Sequence, residues 1–194
     1  ALDVALAQAG PAAPPPSADT TTALTASTPG VAGPGVLRGP GATGERVRIG
    51  IARDEAFGFY YPDDLEALEA AGAELIPFSP VRDPALPPVA GLFIGGGFPE
   101  YRMHALAANG GMRAAVKAFV EAGGPVYAEC GGLMYLCRGL RWGEDYVPLC
   151  GVLDADVAMH ERPQGRGYIR LRELATFPWP RRPGQEEEIR AHEF

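Results

Sequence analysis

The sequence is poor in the residues that mark a metal, disulfide, nucleic-acid or membrane protein. Its three cysteines, Cys130, Cys137 and Cys150, are an odd set without a Cys-x-x-Cys pair. Neither a disulfide framework nor a zinc site is expected from them. The three histidines, His104, His160 and His192, share no ligand spacing, so no metal site is expected. Basic side chains are few: 17 Lys and Arg against 24 Asp and Glu leave a formal charge of −7. That balance argues against a nucleic-acid partner, which needs a basic face. No apolar run approaches the roughly 18 residues that span a bilayer. The basic, apolar and small-residue order of a secretory signal is missing too. No membrane partner is expected, and the expected location is cytoplasmic. A G-x-x-x-x-G-K-[ST] phosphate loop is also lacking, so ATP chemistry cannot be read from this chain.

What is present is the composition of a globular enzyme, with 46% hydrophobic residues. A length of 194 residues suggests one domain with something attached. Residues 1–44 carry seven prolines, seven glycines and only three charged side chains. Such a segment buries too little apolar surface to offset its ordering entropy, and a disordered N-terminal linker is expected. Ahead of it, the leucine and valine spacing in residues 1–7 predicts one or two helical turns. Residues 1–45 are therefore read as the end of a preceding domain plus linker, and residues 46–194 as the folded domain.

From Arg46 strands and helices alternate. Val47–Ala52, Glu74–Phe78 and Gly91–Ile94 read as strands, the last closed by Gly95-Gly96-Gly97. Pro62, Asp63 and Asp64 open a helix with Leu65, Leu68 and Ala71 on one face, and Gly72 ends it. A second helix runs from Met112 to Glu121. This order implies a parallel α/β sheet, in which chemistry collects at the carboxyl ends of strands. Beyond Gly139 the pattern weakens. Arg141–Asp145 reads as a turn, Leu149–Leu153 as a strand, residues 156–170 as mostly loop, and Gly167–Leu171 as an edge strand.

The stretch Pro125 to Leu136 is the most telling. An apolar run ends at Cys130, Gly131 and Gly132 follow, and a helical pattern starts at once. That is a nucleophile elbow with cysteine at its apex. The Gly131 amide and the first helical turn would lie under any anion formed there, favouring a thiolate and stabilising an oxyanion. Cys130 is the expected nucleophile. Gly131 and Gly97 are the expected oxyanion donors, since glycine lets the backbone approach a substrate. Cys137 and Cys150, in apolar surroundings, read as reduced core thiols. Glu129 is expected to be buried and hydrogen-bonded, and Phe59, Tyr60 and Tyr61 form an aromatic cluster, by default a packing one.

Together these segments resemble the class I, triad-type glutamine amidotransferases, and within them the cobyrinic or hydrogenobyrinic acid a,c-diamide synthase branch. The matching blocks are Ala52 to Tyr61, Gly72 to Leu75, Gly95 to Glu100, Glu129 to Leu136, Gly167-Tyr168 and His192-Glu193-Phe194. The resemblance implies a flavodoxin-like fold, a mostly parallel sheet with helices on both faces, over residues 46–194. It implies a glutaminase domain that hydrolyses glutamine through a cysteine thioester. The ammonia would pass to an N-terminal synthetase domain, where the a and c carboxylates of a corrin acid become amides. ATP and Mg²⁺ are implied for that domain, with no cofactor in this chain. The corrin would be met only through it.

The family's histidine motif reads H-E-F-H, with the second histidine usually pairing with the cysteine. This chain ends at Phe194, one residue short of it, so the resemblance implies a truncated domain, weak or inactive alone. His192 is the substitute candidate for the base. The alternatives are a cobyric acid synthase-type or other amidotransferase, and an inactive amidotransferase-like binding module.

Overall fold

The alternation from Val47 onward builds a parallel sheet in the computed structural model, which describes residues 2–6, 46–162, 164–165, 167–172 and 188–193. In chain order the strands and helices begin with β1 (Leu2–Leu6), β2 (Val47–Ala52), β3 (Phe57–Phe59), α1 (Pro62–Ala70), β4 (Ala73–Phe78), β5 (Gly91–Ile94) and β6 (Gly96–Gly97). A 3₁₀ turn (Pro99–Arg102) then leads to α2 (Met103–Ala108), α3 (Gly110–Glu121), β7 (Val126–Ala128) and α4 (Gly131–Leu136). The remaining strands are β8 (Cys137–Trp142), β9 (Asp145–Pro148), β10 (Leu153–Met159), β11 (Gly167–Arg172) and β12 (Glu188–Glu193).

The central sheet has the order β4-β2-β5-β7, all parallel. This is the α/β fold with a mostly parallel central sheet that the sequence implies. The chain leaves β2 for one neighbour, β4, and returns to the other side at β5, so the order reverses between β2 and β5. In such sheets a crevice opens at the carboxyl ends at this switch point. β2 and β5 read as nearly continuous apolar runs because both their faces are covered. Ile51, Ala52, Leu92, Phe93 and Ile94 are buried. β4 lies at the sheet edge, where the exposed Pro77 costs no ladder bond to an outer strand.

The helices follow their sequence signals with local differences. α1 starts at Pro62 with Asp63 and Asp64 in its first turn, where acidic side chains favour the helix dipole. Leu65 and Leu68 are half-buried, but Ala71 is the exposed C-cap. α3 begins two residues before Met112, because the Asn109 side chain accepts the Met112 N–H and caps it. Met112 and Val116 are fully buried.

Three expectations are corrected. Residues Leu2–Leu6 form a strand antiparallel to β10, not helical turns. Their Leu-x-Val-x-Leu alternation fits period two as well as a helix, and an open strand edge decides the outcome. Leu149–Leu153 is not a strand either. The Leu149, Cys150, Gly151 and Val152 amides bond back to Arg138, Tyr135, Cys137 and Leu136 carbonyls, folding this segment over the end of α4. The strand runs instead from Leu153 to Met159, into the expected loop. Its buried Ala155 and Val157 alternate with Asp154 and Asp156, both paired with Arg138. Those carboxylates hid the apolar period. β10 joins β1, β8 and β9 in a second sheet of order β1-β10-β8-β9. β11 matches the expected edge strand and pairs antiparallel with β12. Apart from Leu2–Leu6, the expected linker lies outside the described residues. Among those residues, no helix is long and apolar enough to cross a membrane.

One buried cluster ties the two four-stranded sheets to α2, α3 and α4, with Phe57, Ile94, Leu106, Met112, Val116, Met134, Tyr135, Leu140 and Val157 at its centre. It holds the strand ends that carry the site.

Candidate active site

At the end of β7 the chain reverses through Glu129-Cys130-Gly131-Gly132, and the Gly132 N–H donates to the Glu129 carbonyl at 2.8 Å. Cys130 has φ 49° and ψ −116°, the first central position of a type II′ turn. Among the described residues it is the only non-glycine with positive φ. A side chain held there costs about 1–3 kcal/mol and persists only where the surroundings enforce it. They do so here. A Cβ on Gly132 would lie 2.0 Å from the Ile94 carbonyl oxygen, so only glycine lets α4 start against the end of β5. Cys130 itself is exposed. The elbow expected from the sequence is thus present, with its thiol open to solvent.

The glycine triplet meets this elbow. Its last two residues, Gly96 and Gly97, are the short strand β6, paired antiparallel with β3. The Phe98 N–H donates to the Ala56 carbonyl at 3.0 Å, which makes Phe57 and Gly97 a non-hydrogen-bonded pair. The Gly97 N–H therefore points away from β3. It lies against Gly131, where a Cβ would come 3.2 Å from the Gly97 nitrogen. A Cβ on Gly96 would lie 3.7 Å from Cys130 Cβ. Cys130, Gly131 and Gly97, drawn from two strand ends, form one constellation.

Among the described residues, His104 and His160 make no hydrogen bond or ion pair with it. His104 is exposed on α2 and lies 3.6 Å from Asp145, and His160 is exposed after β10. His192 lies on β12 opposite Tyr168, and its side chain is outside what the structure describes. Glu129 is not buried as expected. It is half-buried and accepts a hydrogen bond from the Tyr127 hydroxyl at 3.3 Å. Cys137 and Cys150 are free, buried thiols, as expected. Burial pushes the Cys137 thiol up, and pushes Cys150 up to about 12.

Sequence reading missed the role of Tyr60. Its hydroxyl donates to the Ala52 carbonyl at the end of β2 and accepts the Gly95 N–H at 3.1 Å. It thereby bridges the switch point. Burial raises its pKa to about 12, so the hydroxyl keeps its proton. The Phe-Tyr-Tyr run was a signal, but only the fold separates the three rings. Phe59 and Tyr61 are 58% and 72% exposed, whereas Tyr60 is half-buried against Phe93. An edge-to-face row extends from Phe59 through Phe98 and Tyr101 to Trp142.

With this geometry established, comparison with known proteins gives consistent results. A family model described as a CobB/CobQ-like glutamine amidotransferase domain matches residues 48–194. A cobyrinate a,c-diamide synthase of Magnetococcus marinus is 46% identical over 157 residues, covering 81% of this chain and 33% of that protein. One from Caldanaerobacter subterraneus is 47% identical over 152 residues, 77% of this chain and 33% of the relative. One from Methanosarcina acetivorans reaches 57% over 103 residues, 53% of this chain and 21% of the relative. The aligned part of the chain thus spans a third or less of these relatives.

Proposed function

The chain belongs to the CobB/CobQ-like glutamine amidotransferase family, and from that premise we propose that it hydrolyses glutamine through Cys130. The ammonia would serve an ATP-dependent synthetase that amidates the a and c carboxylates of cobyrinic or hydrogenobyrinic acid. One observation carries the chemistry: an exposed cysteine, strained at positive φ, beside two glycine amides.

In this reading the Cys130 thiolate attacks the side-chain amide carbon of glutamine. A C–S bond forms and the carbonyl π pair moves onto oxygen. The Gly131 and Gly97 N–H groups receive that oxyanion. Collapse restores the C=O bond and breaks the C–N bond, and the nitrogen leaves as ammonia after taking a proton from a general acid. Water then adds to the glutamyl thioester, the C–S bond breaks, and glutamate and thiolate are released. The base that removes the water proton is assigned to His192. ATP and Mg²⁺ would act in the remaining part of the relatives' length, and none of the residues described here is assigned to hold them.

The test uses the intact gene product with Cys130→Ser. Glutamine-dependent release of glutamate and corrin amidation should both vanish, while amidation supplied with ammonium salt persists. Glutamine turnover that survives the substitution overturns the assignment. An amidotransferase acting on another acid would keep the glutaminase and fail only in corrin amidation.

A further inference from the structure

Asp54 stands outside the constellation described above, yet four donors converge on its carboxylate. Oδ1 accepts the Ala56 N–H at 2.8 Å and the Phe57 N–H at 3.1 Å. Oδ2 accepts the Ser79 hydroxyl at 2.8 Å and the Val81 N–H at 2.9 Å. The carboxylate therefore closes the turn after β2 and ties it to the loop after β4, both at the edge of the sheet where Cys130 lies. A carboxylate is acceptor-only and can take all four, which an amide or hydroxyl cannot.

Two adjacent residues, Ala56 and Phe57, lead from this clamp to the elbow. The Ala56 carbonyl accepts the Phe98 N–H, the bond that turns the Gly97 N–H away from β3, and the Gly97 backbone lies against Gly131. The same carbonyl also presses on Gly97 so closely that a Cβ there would lie 2.0 Å from its oxygen. The neighbouring Phe57 ring is fully buried and packs on Tyr135 of α4, with centroids 5.4 Å apart. The residue holding Ala56 and Phe57 thus sets both the Gly97 amide and the helix behind Cys130.

We propose that Asp54 is a positioning residue for the oxyanion pocket, acting through the Ala56 carbonyl to orient the Gly97 N–H. This rests on the glutaminase reading above. Asp54 touches no substrate atom in this scheme. Its contribution is the alignment of a donor that an oxyanion meets only as it forms, so loss should appear in kcat rather than KM.

The experiment uses the intact gene product and two readouts, glutamine hydrolysis and alkylation of Cys130 by iodoacetamide. Alkylation displaces iodide without forming an oxyanion, so it reports the thiol and not the pocket. Asp54→Ala should lower kcat about 10- to 100-fold, as a misplaced donor does, with KM within about two-fold. Its alkylation rate should match the unsubstituted protein. Asp54→Asn keeps an oxygen for Ala56 and Phe57 while losing the acceptor for Val81, and should retain kcat within about five-fold. Unchanged kcat in Asp54→Ala overturns the proposal. So does loss of alkylation and hydrolysis together, or an Asn variant as slow as the Ala variant, since each assigns Asp54 to general stability. Failure of the parent reading looks different: the unsubstituted protein would turn over glutamine no faster than Cys130→Ser.

Discussion

The sharpest perturbation is a single methyl group at Gly97. A Cβ there would meet the Ala56 carbonyl oxygen at 2.0 Å, and the Ala56 carbonyl carbon and Phe57 Cα at 2.9 Å. All three are backbone atoms, so no side chain can swing aside. Relief requires β3 and β6 to part by more than about 1 Å to reach van der Waals separation. That movement breaks the 3.0 Å Phe98–Ala56 bond and takes the Gly97 N–H from its place beside Gly131. Removing one oxyanion donor costs about 10²–10³ in kcat, or ~3–4 kcal/mol. Overpacking should cost a further ~1–3 kcal/mol of stability. Gly58 is the control in the same segment, since a Cβ there meets nothing nearer than Asp54 O at 3.8 Å. Steady-state glutamine hydrolysis by Gly97→Ala and Gly58→Ala, with urea midpoints for both, is the assay. A Gly97→Ala enzyme within about three-fold of the unsubstituted kcat would refute the pocket as drawn.

Three further outcomes follow from the same geometry. A glutamine-mimicking electrophile should label Cys130 and spare Cys137 and Cys150, because the latter are buried and their thiols are pushed up. Equal labelling, read by peptide mass spectrometry, would remove the case for a tuned nucleophile. Cys130→Gly should be more stable than Cys130→Ala by about 1 kcal/mol in urea titration, reversing the usual preference for alanine, because φ 49° strains any side chain. A more stable alanine variant would mean that the strained turn does not exist in solution. The Tyr60 hydroxyl, raised by burial to about 12, lies above its unfolded value of about 10. Its stabilising contribution is complete below pH ~10 and is lost as pH rises through ~12. Tyr60→Phe should flatten that decline in pH-dependent unfolding, and an equal slope in both proteins would contradict the buried bridge.

Much of this site was legible in the chain because its signals are local. A turn that needs Gly131 and Gly132 after an apolar strand announces Cys130 wherever the strand sits, since the constraint lies in adjacent residues. The parallel sheet was equally readable from apolar runs set between helical patterns. β10 was not, because Asp154 and Asp156 carry charges that only the distant Arg138 explains. β1 was read as helix because five residues fit two periods, and a neighbouring strand edge selects between them. The sequence by itself determined where the elbow falls, with Cys130 at its apex, and which glycines flank it. Only the tertiary structure decided that Gly97 faces Gly131, that Tyr60 rather than Tyr61 bridges the sheet, and that Asp54 holds the loop between them. Those relations join residues dozens of positions apart, and such contacts arise from how strand ends meet at the switch point, a property no local pattern encodes.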